Sequence, residues 1–161
     1  MDFQALIEPI IWSLLPISEL RGGIPIALSN GFSIYNAFLI GVLANILVIP
    51  IVFLFLDNIH DLFMNNGFYQ KTFNKYIEKK RQSLEKHIGT MGEFLALVLF
   101  VGIPLPITGA YTGTLLAWFF EVPKKKAYAA LITGVIMAGI IVSLVSFFAI
   151  ETFSFFIKSG F

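Results

Sequence analysis

Residues 102–109 read GIPLPITG and lie in the middle of a charge-free stretch, residues 94–120. What this segment does decides the fold. At 27 residues the stretch exceeds the roughly 20 needed to cross a ~30 Å hydrocarbon core. Yet Pro104 and Pro106 fall near its centre, and proline lacks an N–H and clashes with the preceding helical turn. Read as one kinked helix, the stretch crosses the membrane. Read as two half-helices of about ten residues, each rising ~15 Å at 1.5 Å per residue, it reaches the bilayer middle and returns.

The distribution of charge favours the return. Only 13% of the chain is charged and 57% is hydrophobic, whereas a soluble domain carries about 25% charged residues. The composition is that of an integral membrane protein. Two further charge-free stretches, residues 34–56 and 127–150, are 23 and 24 residues long. Nine of the eleven basic residues fall in two segments: Lys71, Lys75, Lys79, Lys80, Arg81 and Lys86 between Asp57 and Glu93, and Lys124, Lys125 and Lys126. If residues 94–120 crossed fully, the two basic segments would face opposite sides, against the tendency of Lys and Arg to remain cytoplasmic. A hairpin places Lys71 and Lys125 on one cytoplasmic face and both termini on the other. Irregular backbone at membrane depth is tolerated only when buried in protein or lining a wet cavity, so such a turn points to a site.

An internal repeat supports the hairpin. At an offset of 90, PISELRGGIPIA (16–27) falls on PITGAYTGTLLA (106–117), matching Pro16 with Pro106, Ile17 with Ile107, Gly23 with Gly113 and Ala27 with Ala117, with Ser18 over Thr108. A three-residue insertion then shifts the offset to 93, pairing Tyr35 with Tyr128, Ala37 with Ala130, and Gly41-Val42 with Gly134-Val135. Each unit is a hairpin followed by one span. One span reverses direction, so the second unit lies inverted, the plan of many secondary transporters whose sites lie near the midplane.

The expected fold is an all-α integral membrane protein: an inverted repeat of re-entrant helical hairpin plus transmembrane helix, with an interfacial amphipathic helix between repeats. The single membrane domain divides into repeat 1 (about 3–56), a connector (57–92), repeat 2 (about 93–150) and a short tail (151–161). Within the connector, YQKTFNKYIEKKRQSLEKHIG (69–89) spaces Phe73, Ile77, Leu84 and Ile88 at helical intervals among charges, the pattern of a helix lying in the membrane interface. A partner-binding helix is the alternative. The glycines and alanines at 23, 27, 109, 113 and 117 read as helix-packing positions. The proline turns at 16–23 and 104–109 are expected to approach each other near the midplane.

Glu19 and Arg21 are the charges that this apolar setting must accommodate. Each costs ~2.5–3.5 kcal/mol at a membrane helix centre. A local account has Ser18 cap a half-helix, Glu19 favour its dipole from the first turn, and Arg21 reach the interface or an acceptor elsewhere. A functional account opens the turn onto a wet cavity, where Arg21 attracts an anionic group such as phosphate through its paired donors and Glu19 exchanges protons. An enzyme built on Ser18, Thr108, Thr112 and Glu19 is disfavoured, because no histidine lies in an apolar segment and no nucleophile motif appears. Absence of cysteine excludes disulfides, thiolate metal sites and cysteine nucleophiles, and no cofactor or metal is expected. His60 and His87 lack ligand spacing. The net charge of +1 gives no reason to expect nucleic acid as a partner. Met1-Asp2 opens the chain without a basic segment, so no cleaved signal peptide is expected. At 161 residues one chain offers little protein to shield two turns, which points to a homodimer in contact with membrane lipids.

SELRGGIPIAL (18–28), followed by VGIPLPITGAYTGTLLA (101–117), resembles the small multi-drug export proteins, distant relatives of the DedA superfamily. The resemblance implies a prokaryotic cell-membrane protein with two opposed re-entrant hairpins, exporting or flipping a small amphiphile or lipid. DedA relatives are associated with moving polyprenyl-phosphate and other lipids. It also implies hairpin roles for Glu19, Arg21, Pro25, Pro104, Pro106 and Thr108. DedA-type second hairpins carry arginines near the proline motif, whereas residues 94–120 here carry none. A non-transporting membrane scaffold is the alternative function.

Overall fold

In a computed structural model, residues 3–64 and 91–158 are described, and they form six helices: α1 Phe3–Leu14, α2 Glu19–Ser29, α3 Ile34–Met64, α4 Met91–Gly102, α5 Ala110–Phe119 and α6 Lys124–Lys158. The amphipathic segment 69–89, with Lys71 and His87, lies outside the described residues. Two helices are long and apolar enough to cross a membrane, over Ile34–Ile59 in α3 and Lys124–Thr152 in α6. Both run beyond the charge-free stretches read from sequence, so Asp57 belongs to the helical body of α3. On α3, Leu39, Leu43, Leu47, Ile51 and Phe55 recur every four residues at 50–61% exposure. That is a continuous apolar stripe facing outward, suited to lipid and costly in water.

Each of the remaining helix pairs folds back on itself. Residues 15–18, containing Pro16, separate α1 from α2, and residues 103–109, containing Pro104 and Pro106, separate α4 from α5. In the first hairpin the open ends are tied by Asn30, whose Nδ2 donates to the Ala5 carbonyl (3.1 Å) and to Glu8 Oε2 (3.3 Å). Pro9 explains the vacancy at Ala5, because a proline four residues on removes the helical donor for that carbonyl. In the second, Glu93 at the start of α4 meets Lys126 in the first turn of α6, 3.7 Å apart.

The open ends of the two hairpins lie at opposite ends of α3. The first hairpin feeds straight into Ile34, the first residue of α3. The second is anchored at Asp57, which accepts from Trp118 Nε1 (3.0 Å) and from Lys124 Nζ (2.6 Å). The helical rise between Ile34 and Asp57 is about 35 Å.

The turns after α2 and α5 share one backbone pattern. Asn30 and Phe120 N–H groups bond the carbonyls of Ile26 and Leu116; Phe32 and Val122 bond Ala27 and Ala117; Ala37 and Ala127 bond Ser33 and Pro123. Every pair is offset by 90. Between them sit Gly31 (φ 85°) and Glu121 (φ 53°), the left-handed residue that closes each turn. The three-residue insertion read from sequence is therefore corrected: the connecting turns are equally long, and the offset-93 matches among aromatic and small residues do not reflect structural register.

Small residues let these helices approach. A Cβ on Gly134 would stand 2.8 Å from Val101 Cβ, and one on Gly139 would stand 2.3 Å from Val42 Cγ2. These are the α4–α6 and α3–α6 contacts, where close backbone approach maximises dispersion in place of a hydrophobic drive. Within the first hairpin, a Cβ on Gly23 would meet the Pro9 carbonyl oxygen at 2.6 Å and Ser13 Oγ at 1.7 Å. Gly23→Ala is thus expected to cost about 1–3 kcal/mol, read as a lowered unfolding temperature of the detergent-purified protein. Adding Ser13→Ala restores only part of the loss, because the Pro9 carbonyl cannot move aside; a Gly23→Ala protein as stable as the parent contradicts this packing.

Candidate functional site

Breaking a helix exposes carbonyls at one end and N–H groups at the other. At the first break, the last four carbonyls of α1 are each taken by a different group. Ile11 accepts from the Leu15 N–H (3.1 Å), Trp12 from the Ser18 hydroxyl, Ser13 from Asn45 Nδ2 of α3 (3.0 Å), and Leu14 from the Tyr111 hydroxyl of α5 (2.6 Å). This corrects the capping role expected of Ser18. Its side chain reaches back to α1 and makes no cap bond to α2.

At the second break the donors are the exposed groups. α5 begins at Ala110 after Gly109, which has no side chain to cap it. The cap comes from the other hairpin: Glu19, 6% exposed, accepts from the Tyr111 N–H at 3.3 Å, and the Ala110 N–H also bonds its carboxylate. A negative group at a helix N-terminus meets both unpaired donors and the positive end of the dipole. The dipole served is that of α5 and not, as the local account has it, that of Glu19's own helix. Gly109 is what makes room, since a Cβ there would lie 1.9 Å from Glu19 Oε2. Its role is therefore more specific than the helix packing read from sequence.

Arg21 completes the junction. Its Nη1 donates to the Leu105 carbonyl and its Nη2 to Thr108 Oγ1 (3.2 Å). Leu105 sits between the two prolines, and the Thr108 hydroxyl lies 2.9 Å from the carbonyls of Ile103 and Leu105, bracing the same turn. Each hairpin thus holds the tip of the other. Arg21 and Tyr111, two of the side chains that reach across, lie 90 residues apart in the sequence.

The structure therefore brings together Glu19, Arg21, Thr108 and the Pro104–Pro106 turn. Pro25 stands apart, inside α2, where it removes the helical donor for the Arg21 carbonyl. Sequence reasoning missed Tyr111 and gave Gly109 only a packing role. The offset of 90 carried the signal for both, placing them opposite Arg21 and Glu19. Two non-glycine residues with positive φ, Glu19 (49°) and Ile107 (74°), mark the two tips, and such strain persists only where surroundings enforce it.

Beyond the junction, Leu15, Pro16 and Ile17 are exposed, as are their equivalents Leu105, Pro106 and Ile107; Ile17 is fully exposed and Ile107 86% exposed. Chemically, the junction offers one carboxylate, one guanidinium and hydroxyls already committed to carbonyls. Ser18 and Thr112 bond the carbonyls of Trp12 and Ile107, leaving neither poised as a nucleophile. Among the described residues no group of three or more metal-ligating side chains occurs.

Residues 19–141 match the family described as "Putative small multi-drug export protein". No curated protein and no solved structure matches the chain.

The cross-bracing makes a thermodynamic prediction. Tyr111→Phe removes one hydroxyl and strands the Leu14 carbonyl, at about 1–3 kcal/mol, and Arg21→Ala costs more. Because both hold the same pair of tips, the double variant should lose less than the two losses added, by about 0.5–3 kcal/mol. Unfolding in detergent measures this, and strictly additive losses contradict a shared junction.

Proposed function

The chain belongs to the small multi-drug export family, and from that premise we propose that it is a membrane transporter whose translocation site is the junction of the two hairpin tips. In this reading both hairpins are re-entrant, the two halves form an inverted repeat about α3 and α6, and the tips meet near the bilayer midplane. The observation that carries it is the exchange of polar contacts: Glu19 and Arg21 hold the second tip, and the Tyr111 hydroxyl holds the first. A junction closed by side chains of opposite halves opens when one half rocks against the other. This is how alternating access works around a fixed central site.

The chemistry of opening follows from the partners. Arg21 is bound to a carbonyl and a hydroxyl, acceptors weaker than an anion. A phosphate or other anionic group on a small amphiphile or lipid competes for it through the guanidinium fork. A proton on Glu19 removes the charge that caps α5 and loosens the other contact. Substrate and proton then act on the same junction, one at each charge. The exposed tips at Ile17 and Ile107 suit coverage by a second copy, which would leave the irregular backbone shielded from lipid.

Sidedness has its own support. Lys124 lies against Asp57 and Lys126 against Glu93, placing the triple lysine at the end of the molecule from which the connector departs. We assign that basic end to the cytoplasm of a prokaryotic cell. Single cysteines at Lys71 and Lys125 should react with an impermeant thiol reagent from the cytoplasmic side only; reaction from opposite sides overturns the second hairpin.

The functional test uses proteoliposomes loaded with a lipophilic cationic dye or doped with a fluorescent anionic phospholipid. Glu19→Gln and Arg21→Ala, compared with the parent at equal amounts of folded, membrane-inserted protein, should lose transport of whichever probe the parent moves. Normal transport by both variants makes the charges purely structural. A parent that moves neither probe favours the scaffold reading.

A further inference from the structure

Between α3 and α5 the helices part to leave a groove of about 420 Å³, walled by Ile51, Val52 and Phe55 on one side and Tyr111, Thr112 and Leu115 on the other, with Leu56 at its outer end. The lining is almost wholly hydrocarbon. Its two hydroxyls are spent, that of Tyr111 on the Leu14 carbonyl (2.6 Å) and that of Thr112 on the Ile107 carbonyl (2.8 Å). A polar or hydrated occupant would lose hydrogen bonds that the groove cannot replace. A hydrocarbon chain loses none. Ile51 and Leu115, 60% and 45% exposed, leave the groove open along its length to the surface that faces lipid.

The outer end specifies what is attached to that chain. Leu56 adjoins Asp57, which holds Trp118 and Lys124. Lys124, Lys125 and Lys126 open α6, and cations are disfavoured at the positive end of a helix. Asp57 and Glu93 offset two of them. Lys125 is exposed and has no ion-pair partner among the described residues, Glu121 of the preceding turn included. The Lys124 side chain is 62% exposed and gives one of its three ammonium protons to Asp57. An anion at this end therefore meets uncommitted lysine donors and a helix N-terminus.

We propose that the α3–α5 groove is a binding site for an anionic phospholipid, seated with one acyl chain between Ile51 and Leu115 and its phosphate at Lys124 and Lys125. The lipid keeps the orientation it has in its own leaflet, headgroup at the basic face and chain directed inward. Its chain terminus abuts Tyr111, so occupancy of the groove bears on the residue that braces the first hairpin tip. The site does not require that the protein transport anything.

Native mass spectrometry of the protein released from nanodiscs containing equal phosphatidylglycerol and phosphatidylcholine tests this directly. The parent should retain phosphatidylglycerol in about five-fold preference, the value of roughly one lysine at a membrane surface. Leu115→Trp fills the groove and should abolish retention of either lipid. Ile51→Trp, from the opposite wall, repeats the test should the first variant fold poorly. Lys125→Gln should keep a bound lipid but lose the preference. Equal retention of the two lipids by the parent, or undiminished retention by both tryptophan variants, overturns the proposal.

Discussion

Where a helix is interrupted, up to four carbonyls before the break and four N–H groups after it lose their helical partners, and inside an apolar protein water is not there to take them. This chain interrupts helices twice, at residues 15–18 and 103–109. The organisation of the junction follows from that deficit. The carbonyl end of α1 draws in Ser18, Asn45 and Tyr111. The amino end of α5 draws in the Glu19 carboxylate. Because Tyr111 and Glu19 each come from the opposite hairpin, satisfying these two sites also ties the two hairpins together.

The same constraint accounts for details that would otherwise look unrelated. Gly109 is a glycine because the Glu19 carboxylate occupies the space of its Cβ. Thr108 bears a hydroxyl because the turn held by Arg21 carries carbonyls at Ile103 and Leu105 that need a donor. At the outer end of the first hairpin the same problem is met by Asn30 at the Ala5 carbonyl, whereas the second hairpin is tied there by side-chain contacts of Asp57 and Glu93. The two charges in the middle of so apolar a chain are thus both engaged with the second tip, Arg21 with the Leu105 carbonyl and the Thr108 hydroxyl and Glu19 with the Tyr111 N–H.

Much of the architecture was legible in sequence because it rests on local chemistry. Uninterrupted apolar stretches give long helices, and α3 and α6 contain residues 34–56 and 127–150 and run on past them. Prolines at 16, 104 and 106 mark the breaks for the same reason. The likeness of the two breaks was visible around Pro16 and Pro106, where turn-forming residues are chemically restricted. It was misread after residue 27, because aromatic and small residues in apolar helices recur too often to establish register. Partnership across the junction was not legible. Nothing local to Ser18 tells that its hydroxyl turns back to α1, nor does anything near Tyr111 tell that it reaches a carbonyl 97 positions away. Only the backbone breaks, once placed face to face, create the demand those side chains meet.

The central claim is that the two hairpin tips meet inside the protein. Since the chain has no cysteine, spin labels at Ile17 and Ile107, exposed residues of the two tips, report their separation by pulsed electron resonance in nanodiscs. The account predicts one short distance, far below the ~30 Å thickness of the hydrocarbon core, which broadens or lengthens when Glu19 and Arg21 are replaced together. A separation equal to or greater than the core thickness in the parent protein would contradict it, because the tips would then lie at opposite membrane surfaces with no junction between them.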